Sequence, residues 1–337
     1  MPDCIEARTD HTGALALPSG VELPGNRRVL VVVLDEAPGT AAPTVTRPTA
    51  DPKRTADWSG AATGAMRYRL DRELADGGMG QTFVGTDLVT GGAVCVKRLR
   101  PGVSAEHFEQ EWRALARVNT PFAVKYLDRY EHGGVPYLVM EYIHGRTLRA
   151  RFADPLSLTE CVWLGVALAS AAEAFHDVGV VHCDLKPTNV LIESALSPLG
   201  ALVSWVPRVI DFGIAILDHV DAHGDETGHG NMAGTPEYMA PEQALAAKRT
   251  PACDVYAIGQ IVWEALSGRS AFPGRGMEVL LAKREQTRGL RAECPRFVVP
   301  HELEELIERA THPAPEKRFN TTVFRGLLEE LMFELNK

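Results

Sequence analysis

The stretch Val180-Val181-His182-Cys183-Asp184-Leu185-Lys186-Pro187-Thr188-Asn189-Val190-Leu191 constrains this chain more than any other. Two β-branched apolar residues lead into it, so a short buried strand hands an aspartate, a lysine and an asparagine to one loop. A buried helix end with incidental caps would carry similar residues. The neighbouring motifs have to choose between the two.

With 337 residues and 45% hydrophobic content the chain can bury a sizeable core, either as two or three average domains or as one large two-lobed one. Its formal net charge of -9 argues against broad attraction to nucleic acid or to an anionic membrane surface. The six cysteines (Cys4, Cys95, Cys161, Cys183, Cys253, Cys294) form no CxxC pair. That fits reduced thiols in a cytoplasmic protein better than a disulfide framework or a zinc site. No basic start followed by an apolar core marks a secretory leader. The apolar run from Val162 to Phe175 is interrupted by Glu173 and is shorter than the roughly 20 residues of a membrane span, so it reads as a buried helix.

Along the chain, Ile5 to Thr9 and Arg28 to Leu34 read as strands of a small β unit over residues 1–36, with turn signals at Asp10-His11-Thr12-Gly13 and Pro24-Gly25-Asn26. The unit resembles swapped-hairpin, antitoxin-type or transition-state-regulator β modules, which implies homodimerisation or docking. The plain alternative is a hairpin that pads the next domain. Residues 37–66 turn to Pro, Thr, Ala, Gly and Asp and read as a flexible linker with accessible threonines. Periodic structure resumes at Tyr68 and becomes helical near Ala105. In Leu74-Ala75-Asp76-Gly77-Gly78-Met79-Gly80-Gln81-Thr82, glycines crowd a bend between two strands, where backbone amides can approach an anion. In Ala93-Val94-Cys95-Val96-Lys97 one lysine emerges from an apolar strand, and Glu111 in the following helix offers the anionic partner that such a lysine needs.

The glycine bend, Lys97, Glu111, His182-x-Asp184-x-Lys186-x-x-Asn189, Asp211-Phe212-Gly213 and Ala240-Pro241-Glu242 stand in the order of the protein-kinase signature set. With its GGMG bend and GTPEYMAPE run, the chain most resembles bacterial serine/threonine kinases of the eukaryotic (Hanks) type, over about Tyr68 to Leu335. The resemblance implies an α+β bilobal kinase fold, with a β-rich N-lobe at 67–143 and an α-rich C-lobe at 144–337. It also implies transfer of the ATP γ-phosphate to Ser or Thr of protein substrates, with Mg2+ or alternatively Mn2+, and autophosphorylation. By resemblance Lys97 contacts the α- and β-phosphates with Glu111 holding it, and the backbone of Gly77, Gly78 and Gly80 covers them. Asp184 takes or orients the substrate proton, Lys186 offsets charge on the moving phosphoryl group, and Asn189 and Asp211 hold metal. Thr235 contacts Asp184 and Lys186. Leu74, Thr82, Cys95, Met140, Glu141, Ile143 and Leu191 surround the base, the alternative for Cys95, Met140 and Leu191 being ordinary core packing. Asp254 would cap the catalytic loop, and Glu242 would pair with Arg318.

Four departures matter. Ala75 replaces the first glycine of the bend, and Thr82 a valine that usually packs on adenine. The apolar insert from Ala195 to Val206, including Trp205, lengthens a hairpin that either docks a partner or packs on the lobe. Cys183 replaces the arginine that in the family pairs with a phosphorylated activation segment. Thr227, the only hydroxyl residue between Asp211 and Thr235, follows Asp225 and Glu226, so activation is expected not to depend on phosphorylation there. His219, His223 and His229 in the same segment are either a metal or pH-sensing cluster or solvated loop residues. The rival class is a pseudokinase that binds nucleotide without transfer, which would normally lack Lys97, Asp184 or Asp211. A small-molecule kinase would usually lack the Gly234 to Glu242 run that shapes a peptide platform. The acidic charge disfavours nucleic acid as a partner, and no membrane attachment is expected.

Overall fold

The computed structural model describes residues 5–9, 15–16, 31–33, 67–77, 80–100, 105–194, 203–217, 236–244, 249–272, 274, 278–279, 282–283, 294 and 298–336. The chain opens with β1 (Ile5–Thr9), β2 (Leu15–Ala16) and β3 (Val31–Val33). β1 is central, antiparallel to β2 and parallel to β3, with Ile5 opposite Val31. A parallel β1–β3 pair is not a hairpin, so the two predicted strands exist but do not pair as a simple hairpin would.

From Arg67 onward two compact units alternate along the sequence. The smaller takes in the described residues before Gln110 and then Lys125–Ile143. It is a five-stranded antiparallel sheet ordered β4 (Tyr68–Asp76), β5 (Gly80–Asp87), β6 (Ala93–Leu99), β8 (Val135–Glu141), β7 (Tyr126–His132). Residues alternate between the two faces of a strand. One face buries Tyr68, Val94, Val96, Tyr137 and Val139, with Tyr130 stacked on Tyr137 at a centroid distance of 4.7 Å. Cys95 and Lys97 of β6 therefore belong to the opposite face. The helix α1 (Ala105–Arg117) carries the chain from the smaller unit into the larger.

The larger unit is dominated by helices. These are α2 (Leu148–Arg151), α3 (Leu158–His176), α4 (Pro241–Ala244), α5 (Ala252–Ser267), α6 (His301–Ala310) and α7 (Thr321–Leu335). Ser157 and Glu160 form a reciprocal capping box at the start of α3, satisfying two amides that a helix N-terminus leaves open. Beyond its first turn α3 is buried from Cys161 to Ala169 and again at Ala171, Ala172 and Phe175. It is the one described helix long and apolar enough to cross a membrane, and here it is the core helix of the unit, packed on α5 and α7. Gly165 allows that packing: a Cβ there would lie 3.2 Å from Val262 and 3.3 Å from Leu328. Between α5 and α6, residues 278–279 and 282–283 are helical.

Small sheets frame the loop between α3 and α5. β10 (Val180–Val181) pairs with β13 (Ile216–Leu217), while β11 (Val190–Ser194) lies between β9 (Gly145–Thr147) and β12 (Trp205–Val209). Trp205 accepts a 3.1 Å bond at its carbonyl from the Trp163 indole and donates its own indole N–H to Glu160 at 2.8 Å. At the β12 end, the lengthened hairpin thus packs on its own unit through Val203, Trp205 and Val206, all buried. Residues 195–202 lie outside the described residues.

Candidate active site

The loop leaving β10 is built around three side chains. Lys186 donates from Nζ to Asp184 Oδ2 at 2.6 Å, and Asn189 donates from Nδ2 to the same oxygen at 3.0 Å and to the Asp184 carbonyl at 2.9 Å. Both charged groups are less than a fifth exposed, so the pair keeps an open side while being partly shielded from water. The loop is held from behind by Asp254 at the start of α5. This fully buried carboxylate accepts the backbone amides of His182 and Cys183, each at 2.9 Å, and lies 2.9 Å from His176 Nε2. Burial alone would raise the Asp254 pKa. The bond from His176, the charges of His176 and His182, and the His182 amide outweigh it and hold the carboxyl below its ordinary range. Those contacts hold Cys183 at φ 63°, a left-handed conformation unusual for a residue with a Cβ.

Cys183 points inward. Its thiol donates to the Val181 carbonyl at 3.5 Å, and burial, with Asp254 close by, pushes its pKa well above that of a free thiol. The side chain at this position is therefore a neutral, buried group. Its carbonyl accepts a 2.9 Å bond from Gln243, which also takes the Ala240 amide at 2.9 Å. The loop leaving β10 and the Ala240-Pro241-Glu242 turn are thus joined through one glutamine. Glu242 in turn is gripped by Arg318 through bonds of 2.6 and 2.8 Å in a buried bidentate pair.

Asp211 also has a left-handed backbone, φ 65°, and its Oδ1 accepts the Gly213 amide at 3.3 Å. Phe212 is buried against Phe175 and His182, at centroid distances of 5.2 and 4.8 Å, which anchors the turn that exposes Asp211. Asn189 spends its amide nitrogen on Asp184, so its oxygen is the atom left for a cation. That oxygen and the Asp211 carboxylate are hard donors of the kind Mg2+ takes, and the residues present fit such an ion. Leu191 follows on β11, opposite Thr147 and Arg208. Glu111 is buried on α1.

The smaller unit brings together a second set. Thr82 lies opposite Lys97, and Lys97 opposite Leu138; Val84 lies opposite Cys95, and Cys95 opposite Met140. Strand register therefore puts Thr82, Cys95, Lys97 and Met140 on one sheet face, away from the Val94/Val96 core. Gly77 donates to the Gly80 carbonyl at 3.0 Å to close the bend, and a Cβ on Gly80 would collide with the carbonyl of Arg98. Leu74 is partly exposed, at 41%, next to the bend. At the end of β8 the Glu141 amide is spent on the Lys125 carbonyl at 3.0 Å. Ile143, two residues on, keeps its N–H and C=O free of backbone partners among the described residues. Gly78, Thr235, Thr227 and the histidines at 219, 223 and 229 lie outside the described residues.

Three contributors went unread in the sequence: His176, Gln243 and Lys283. Lys283 stands in Val279-Leu280-Leu281-Ala282-Lys283, the same lone lysine in an apolar run that drew attention to Lys97.

A β-sheet unit with a glycine bend and a strand lysine, and a helical unit with a pinned Asp–Lys–Asn loop, together carry the parts of a bilobal phosphotransferase of the protein-kinase type. A protein kinase domain model matches residues 68–329, and the chain belongs to the protein kinase family. It is similar to the serine/threonine-protein kinase pkn2 of Myxococcus xanthus, 36% identical over 214 residues, 62% of this chain and 25% of that one. It is similar also to Pkn1 of the same organism, 33% over 275 residues, 79% of this chain and 38% of that one. PknA of Mycobacterium tuberculosis is 37% identical over 222 residues, 62% of this chain and 49% of that one. The chain thus spans between a quarter and a half of the length of these relatives.

Proposed function

We propose that this chain is a serine/threonine protein kinase that acts in the cytoplasm and transfers the γ-phosphoryl group of ATP to hydroxyls of protein substrates. The observation that carries the reading is the Asp184 carboxylate, held by Lys186 at 2.6 Å and Asn189 at 3.0 Å in a loop pinned by Asp254. In the transfer, the substrate oxygen bonds to the γ-phosphorus, the bond to the bridging oxygen of ADP breaks, and the hydroxyl proton passes to Asp184. Lys186 offsets charge on the moving group, and Thr235 steadies Asp184 and Lys186. Bound Mg2+ would neutralise phosphate charge, held by Asn189 and Asp211. Lys97, with Glu111 as its counter-charge, is assigned to the α- and β-phosphates, and the backbone of Gly77, Gly78 and Gly80 to covering them. Thr82, Cys95, Met140 and Leu191 would contact the flat faces of the base. The Glu141 carbonyl and the free main-chain groups of Ile143 would read its edge.

The choice of Ser or Thr rests on the lysine two residues after Asp184. The test is transfer of label from ATP with a divalent ion to the chain itself and to a generic protein substrate, in wild type and in Asp184→Ala and Lys97→Ala. Label lost in both variants is the expected result. Nucleotide binding with no transfer by wild type would make the chain a pseudokinase instead. Independence from activation-segment phosphorylation is part of the proposal, because a buried neutral thiol cannot pair with an added phosphate. Thr227→Ala is expected to stay active; loss of activity restored by Thr227→Glu would refute it. The N-terminal strands are assigned to homodimerisation, which sedimentation equilibrium of the full chain can check.

A further inference from the structure

Lys283 is 1% exposed, and its Nζ donates to three backbone carbonyls, those of Pro236 at 2.8 Å, Glu237 at 2.6 Å and Met239 at 2.8 Å. The faces of Tyr256 and Phe272 lie 5.1 and 5.6 Å from it. Among the described residues the ammonium makes no ion pair; three carbonyl dipoles and two aromatic faces stand in for a carboxylate. Three donors meet three acceptors, so no substitute among the natural side chains repeats the match in the same volume.

The acceptors decide what the lysine is for. Residues 236–239 directly precede the turn that Arg318 clamps through Glu242 and that Gln243 ties to Cys183 of the catalytic loop. Tyr238 is fixed from the other direction, its hydroxyl donating to Glu264 while Arg149 bonds both. The Tyr238 side chain is thus tied to α5 and α2, whereas the carbonyls of Pro236, Glu237 and Met239 turn to Lys283. We propose that Lys283 is a positioning residue for the polypeptide substrate, setting the backbone of 236–239 as the surface on which the segment around the accepting hydroxyl lies. The inference rests on the kinase reading and adds to it the group that shapes its substrate platform.

Charge state matters for the same reason. A neutral amine has two hydrogens for three carbonyls and would leave one buried acceptor unpaired. Burial pushes the Lys283 pKa down to about 7, with the Glu237 charge opposing and the Arg318 charge adding to the fall. Glu237 and Arg318 are the charged groups that act on it among the described residues, and Tyr256 meets it through the face of its ring.

Initial rates with myelin basic protein as the probe substrate, for wild type, Lys283→Met and Lys283→Gln, test the proposal, with thermal unfolding confirming that each is folded. Leaving buried carbonyls unpaired is expected to raise the KM for protein by about tenfold in Lys283→Met. Lys283→Gln, which keeps two N–H donors, should rise less, and the KM for ATP should stay within about twofold in both. A folded Lys283→Met that raises both constants alike, or neither, overturns the proposal. Binding of fluorescein-labelled myelin basic protein makes the same comparisons without transfer. An inactive wild type that still binds the probe in a Lys283-dependent way therefore refutes the kinase reading alone.

Discussion

Asp254 shows how one side chain can govern a loop many residues away. It accepts two backbone amides and a histidine, and removing an acceptor strands donors that no water reaches. Its folded pKa lies below the ordinary carboxylate value of 3.8. The native state therefore binds fewer protons there than the unfolded chain. That contribution to stability is fully present above about pH 4 and is lost as pH falls through the lower folded value. Asp254→Asn is expected to lower stability at neutral pH by about 1–3 kcal/mol, since an amide cannot accept as its N–H2 end what the carboxylate accepts. It should also flatten the acid limb of a Tm profile taken from pH 6 downward. Arg318 makes a sharper case. Its loss leaves Glu242 buried without its partner, so Arg318→Met should cost about 3–5 kcal/mol in denaturant unfolding. Glu242→Gln with Arg318→Met together should cost less than the single change, because no charge is then stranded.

At the level of elements, the contacts between helices explain glycines that sequence periodicity alone leaves unexplained. α5 carries Gly259 in a helix interior, where glycine is unfavourable by about 1 kcal/mol relative to alanine. A Cβ there would lie 2.7 Å from a methyl carbon of Thr311 and 3.2 Å from Ala310, so α5 and the end of α6 meet too closely for any side chain. Gly259→Ala should therefore destabilise by about 1–3 kcal/mol despite its better propensity, whereas Gly326→Ala in α7, where nothing lies within 4 Å, should be neutral or stabilising. Comparing the two by thermal unfolding separates packing from propensity. The strands tell a similar story: β6 was readable as an apolar, β-branched run from which Lys97 emerges, and the register of β5 and β8 then carried Thr82 and Met140 to the face of Lys97. Trp205 was not decided by its sequence, since an apolar insert suits a docking surface or a packed hairpin equally. Glu160 and Trp163, more than forty residues earlier, are what draw it inward.

For the molecule as a whole, the motifs of the site were legible because each compresses its chemistry into a few neighbouring residues, as Asp184, Lys186 and Asn189 do. What supports them was legible only where a known pattern fixed the partner, as for Arg318 with Glu242. His176 and Lys283 were missed because their partners, Asp254 and the carbonyls of 236–239, lie about 45 to 80 residues away. Backbone acceptors, moreover, leave no mark in a sequence. The same division separates binding from chemistry in the whole chain. A ligand that binds the folded chain alone stabilises it by about 2.7 kcal/mol at a hundred times its Kd. ATP with Mg2+ should thus raise the Tm of wild type, and should do so equally in Asp184→Asn, whose change leaves the nucleotide contacts assigned to Lys97, Asn189 and Asp211 in place. Lys97→Met and Asp211→Asn should each shrink the shift, the first with or without metal and the second only when metal is supplied. If Asp184→Asn lost the shift as Lys97→Met does, the carboxylate would be part of nucleotide binding rather than the acceptor of a substrate proton.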